Sequence, residues 1–160
     1  MITTIKRLRS KLLELLTHKF ALPIIARFRK TTPFPYSMED LLQFPEGTLG
    51  KDLVLYLQKK EFKLIKGYER HDCKHIILQY EMDEKGEACM QFYFFGNRHY
   101  SLPVVSTVFI CFFLMPEQWR NFYKEYKKGK HATTFDNVDF NQIILMNTND
   151  LRKQFKTNKK

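Results

Sequence analysis

With 160 residues, 44% hydrophobic and 15% aromatic, the chain holds enough apolar material for a sizeable core and is too apolar to be disordered. Its 27 Lys and Arg against 17 Asp and Glu leave a net charge of +10. That balance favours an anionic partner (a membrane surface, nucleic acid or an acidic ligand), although solubility alone would also account for it.

In chain order, Ile2, Ile5, Leu8, Leu12, Leu15, Leu16 and Phe20 recur at helical spacing among Lys6, Arg7, Arg9, Lys11 and Lys19. The region 1–30 is therefore expected to carry a basic amphipathic helix, which either touches a membrane surface or docks on the core. The same basic, acid-poor composition is that of a transit peptide. "TTPFPYS" is a linker marked by two prolines, and Ser37 is placed to cap a short helix through Leu42, with Asp40 completing the capping box. "FPEGTLG" is a turn from which Thr48 caps a helix to about Lys60.

The spacing predicts a helix from Tyr68 to about Met82, a turn at "DEKG", and a second helix "EACMQFYFFG" with Gly96 as its C-cap. Leu102 to Met115 is an apolar run of 14 residues. A spanning helix needs about 20, so the run is expected to be a buried helix. Pro116 suits the first turn of a helix ending at Gly129, and a last helix is expected over Phe140 to Phe155, fraying into a basic tail at 156–160. Few segments alternate as strands do. The fold class read from this pattern is all-α, a single compact helical domain over 1–160.

Cys73, Cys89 and Cys111 are odd in number and form no C-x-x-C pair, which argues for a reducing compartment and against a disulfide framework. No secretory signal, Walker motif or dinucleotide motif is present. "KEYKKGK" reads as a solvated basic face, since no nucleic-acid-binding pattern accompanies it, and no nucleic-acid partner is expected. His18, His99 and His131 stand alone, and Trp119 with Tyr123 reads as helix packing.

The stretch "HDCKHIILQYEMDEKGE" concentrates the chemistry. His71 and His75, four apart, share a helix face; Asp72 borders it, and Glu87 follows the turn, where it could converge on the histidines across a helical hairpin. Two imidazoles with one or two carboxylates suit Zn²⁺ or another divalent ion. The plain alternative is a surface histidine pair beside Asp72. "HDCKH" shares its spacing with the zinc-protease motif H-E-x-x-H, but Asp replaces the Glu base and no third histidine follows at protease spacing.

His71, Asp72, His75 and Glu87 read H-D-x-x-H-x₁₁-E, which resembles the signature of the coenzyme Q biosynthesis protein four family. Upstream, "PEGTLG" (Pro45 to Gly50) resembles that family's Pro-x-Gly-[Ser/Thr]-[Leu/Phe]-Gly element. The resemblance implies an all-helical protein on one side of a membrane that works in ubiquinone biosynthesis. It also implies a metal, zinc by expectation, on His71, Asp72, His75 and Glu87, and a structural role for Pro45, Gly47 and Gly50. The implied reaction is metal-dependent loss of the ring carboxyl at C1 of a polyprenylated 4-hydroxybenzoate intermediate, with hydroxylation of that carbon. The same four residues would be catalytic.

Phe92, Phe94, Phe95, Val104, Val105, Phe109, Phe112 and Phe113 are available either as core or as a groove for the isoprenoid tail. Expected partners are a prenylated aromatic ligand, the membrane surface and other quinone-biosynthesis enzymes, with a homodimer left open. The competing function is a non-catalytic protein that binds and organises prenylated precursors. The short segment before Pro45 leaves little room for a cleaved leader. It points to a bacterial cytoplasmic protein at the inner membrane, or to the mitochondrial inner membrane in a eukaryote.

Overall fold

The computed structural model describes residues 33–156. The expected amphipathic helix over Ile2–Phe20, His18 and the tail beyond Lys156 lie outside them. The described residues are all-α, with a single isolated β-bridge between Thr48 and Asn147. They form two units, 33–81 with 131–156, and 82–130.

The first unit holds α1 (Met38–Leu42), α2 (Leu49–Lys59), α3 (Glu69–Leu78), α7 (Phe140–Ile143) and α8 (Thr148–Lys156). Ser37 and Asp40 form the expected capping box of α1, and Thr48 accepts from the Lys51 amide at the start of α2. Leu41, Leu49, Leu53, Ile77, Ile144 and Leu151 are fully enclosed at the centre, where α3 packs on α2 and α8. The Arg152 guanidinium of α8 donates to the Ile76 carbonyl in the last turn of α3, where backbone acceptors lack helical partners.

The expected helix over Phe140 to Phe155 is broken between α7 and α8. The break caps another helix. The amides of Leu49 and Gly50, which open α2 and have no partner within it, donate to the carbonyls of Met146 and Ile144 at 3.0 and 2.9 Å. The Thr148 amide donates back to the Gly47 carbonyl at 2.9 Å. Asn147 then restarts the helix by accepting from the amides of Asn149 and Asp150. Gly47 turns at a φ of +78°, and a Cβ on Gly50 would lie 2.7 Å from the Phe44 ring, so the turn needs both glycines.

The second unit holds α4 (Glu84–Gly96), α5 (Leu102–Leu114), a 3₁₀ turn at Pro116–Gln118 and most of α6 (Trp119–His131). Asp83 caps α4 by accepting from the Gly86 amide, so the helix begins three residues earlier than the sequence suggested and Glu87 sits in its first turn. Neither Gly96 nor Gly129 ends its helix by a left-handed turn. Both sit where α4 and α6 cross: a Cβ on Gly96 would lie 2.0 Å from the Tyr126 carbonyl oxygen, and one on Gly129 1.9 Å from that of Tyr93. Phe92 and Phe122 stack beside this crossing.

The expectation that fails is the buried α5. Only Val104 and Cys111 of that helix are buried, while Leu102, Val105, Phe109, Phe112 and Phe113 are exposed, Phe109 to 65% and Leu102 to 72%. The buried pair and Met115 recur along one narrow stripe, and one stripe is all that α4 covers. Trp119 and Tyr123 are exposed too. Trp119 stacks on Phe112 and donates its indole N–H to the Phe112 carbonyl, so the pair extends the aromatic surface rather than packing inside.

Candidate metal centre

His75 lies on α3 and is only 2% exposed. The reason its ring is held is a departure from the expected helix. Gln79 adopts a left-handed conformation, with φ 62° and ψ 38°, which ends α3 at Leu78 instead of near Met82. The chain folds back there, so the amides of Gln79 and Tyr80 both donate to the His75 carbonyl. The Tyr80 carbonyl in turn stands 3.1 Å from Nδ1 of His75. A carbonyl can only accept, so Nδ1 carries a proton, and in the neutral imidazole the lone pair then lies on Nε2.

That Nε2 faces Nε2 of His71, one turn back on the same helix, at 3.1 Å. Two imidazole nitrogens at this separation share either a proton or a cation. Bound to one tetrahedral Zn²⁺ at about 2.0–2.1 Å each, they would stand about 3.3–3.4 Å apart, close to what is seen. The Tyr68 ring meets His71 edge-on.

Glu87, on α4, is half-buried and accepts at 2.6 Å from the Nε2 amide of Gln91, one turn further along. His71, His75 and Glu87 offer donor atoms of the types that could together hold a metal ion. Asp72, expected with them, is half-buried on α3, next to His71 in sequence. Cys73 stands between the histidines in sequence, but burial, then the charges of Asp72 and Glu69, raise its thiol well above the usual range, which disfavours the thiolate a metal would need. All three cysteines are buried.

The donor chemistry fits a divalent ion of the zinc type: imidazole nitrogens with one proton location already fixed, and a carboxylate held by a neutral donor. The Tyr80 carbonyl and Gln91 escaped the sequence reading. Gln91 was visible as Glu87 plus four, whereas Tyr80 depends on a left-handed residue that nothing at position 79 signals. A shallow basic depression lined by Gln79, Asn149, Arg152, Lys153 and Lys156 contains none of the candidate ligands.

Among known proteins, the family model "Coenzyme Q (ubiquinone) biosynthesis protein Coq4" matches residues 64–160, which include all four signature positions but not Pro45–Gly50. No curated protein matches the chain in sequence. Among solved structures, a Nostoc punctiforme protein provisionally assigned to ubiquinone biosynthesis superposes with a TM-score of 0.63 at 17% identity, over 97% of this chain and 82% of that one. At that identity the likeness speaks for the fold. The family match spans more than half of the chain, and the chain belongs to the Coq4 family of coenzyme Q (ubiquinone) biosynthesis proteins.

Proposed function

We propose that the chain removes the C1 carboxyl of a polyprenylated 4-hydroxybenzoate intermediate, with hydroxylation of that carbon, at a membrane surface and with a divalent ion held by His71, His75 and Glu87. The observation that carries this reading is the pair of imidazole nitrogens, Nε2 of His71 and Nε2 of His75, that face each other at 3.1 Å on one face of α3. When bound, such an ion supplies Lewis acidity to a carboxylate or phenolate oxygen. His71 and His75 present their lone pairs from one rigid helix face, and Glu87 contributes the negative charge that a neutral imidazole pair lacks. Asp72, next to His71 in sequence, would serve as a fourth ligand or as a base. Loss of the carboxyl as CO₂ leaves its electron pair on the ring carbon, and hydroxylation there is an oxidation that draws on an external oxidant.

A polyprenyl tail partitions into lipid, so a protein acting on it works at the bilayer. The exposed apolar surface of α5 and the net charge of +10 support membrane attachment from one side. No described helix is long and apolar enough to cross a membrane, and α5 meets the segment Pro116–His131 at 103°. In a bacterium this reading places the protein on the inner face of the cytoplasmic membrane, beside other quinone-biosynthesis enzymes.

The second reading, a non-catalytic organiser of prenylated precursors, uses the same apolar surface without needing the ligands. Complementation of a strain lacking its own family member, scored by quinone content, separates the two. The catalytic reading expects wild type to restore quinone and His75→Ala, Glu87→Ala and Asp72→Ala to fail while remaining folded. Full complementation by all three variants would replace it with the organiser.

A further inference from the structure

Gln91 has no part in the signature, yet it is 6% exposed, and its buried Oε1 makes no hydrogen bond. A buried acceptor without a partner costs stability, and Met or Leu at this position would fill the space without that cost. Packing is therefore a poor reason for an amide here. The other end of the side chain does have a partner: its Nε2 donates to Glu87 Oε1 at 2.6 Å, the length of a strong, charge-assisted bond.

We infer that Gln91 is a positioning residue, which fixes the Glu87 carboxylate for metal binding; this rests on the metal reading above. The amide type is the telling feature. A Lys or Arg at this position would hold the carboxylate as firmly but would set a positive charge next to a divalent ion. A neutral N–H orients the carboxylate and leaves its charge for the metal. His75 is treated in the same way, with its Nδ1–H held by the uncharged Tyr80 carbonyl. The i, i+4 spacing on α4 makes the contact rigid, because both side chains rise from one helix face.

The test is Zn²⁺ binding by the full chain against a competing chelator, with the melting temperature of the metal-free protein measured alongside. Gln91→Met keeps the side-chain length and removes the donor; Gln91→Asn keeps the amide but is too short to reach Glu87. Both should weaken Zn²⁺ binding by about 10–100-fold, while the metal-free melting temperature of Gln91→Met stays at or above the wild-type value. Wild-type affinity in either variant would overturn the inference and leave the metal reading standing. Weakened binding accompanied by a lower metal-free melting temperature in both variants would make Gln91 structural and likewise overturn it. A wild-type protein that takes up no Zn²⁺ would overturn the metal reading and the inference together.

Discussion

At the scale of single residues, proton placement decides what the candidate site can do. The i, i+4 spacing of His71 and His75 was plain in the sequence, because helical periodicity alone puts both on one face. Which nitrogen of His75 donates to the backbone was not, because it depends on the Tyr80 carbonyl brought round by left-handed Gln79. A second residue shows burial acting on a proton. Tyr93 is 3% exposed, and desolvation, then the Glu125 charge, push its phenol from 10.0 up to about 12. Between those two values the folded chain binds the proton more tightly than the unfolded chain, so stability should fall as pH rises from about 10 to 12. Tyr93→Phe removes the titrating group. Urea unfolding at several alkaline pH values should show a shallower decline for the variant, and equal slopes would count against the burial effect.

At the scale of elements, two helices depart from what their sequences suggest, each for a tertiary reason. Gly129 looks like a helix end, but α6 runs on to His131, and Gly96 and Gly129 mark the place where α4 and α6 cross with their backbones in contact. Gly129→Ala would force the helices apart, and we expect a loss of about 1–3 kcal/mol in unfolding free energy, measured by denaturant titration. An unchanged midpoint would mean that the crossing is looser than the contact distances imply. Helix α5 looks like core because it is apolar on every side, yet only the face that meets α4 is covered. Phe109→Ser with Phe113→Ser should leave stability within about 0.5 kcal/mol per site, since both rings are exposed. Burial of one Phe contributes about 1.5–3 kcal/mol, so the double variant should bind lipid vesicles at least tenfold more weakly if α5 enters the bilayer. Vesicle flotation reads this directly, and undiminished binding would assign attachment to another part of the chain.

At the scale of the whole molecule, charge acts over distances that no single contact spans. With a net charge of +10, the protein should bind anionic vesicles more tightly than neutral ones and be partly released by salt, at about 1 kcal/mol for each Lys or Arg near the surface. Equal binding to both vesicle types would limit attachment to apolar contact alone. The sequence by itself determined the all-α class, the caps at Ser37 and Thr48, the four signature residues and the family they indicate. These follow from local periodicity, capping chemistry and fixed spacing, which need no distant partner. Only the tertiary structure decided that α4 and α6 cross where the Asn97 amide donates to the Gly129 carbonyl, that the C-terminal helix breaks to cap α2, and that α5 keeps most of its apolar surface outside. The physical reason is common to all three. Each depends on which groups far apart in sequence satisfy one another's hydrogen bonds or cover one another's apolar surface, and neighbouring residues carry no record of that.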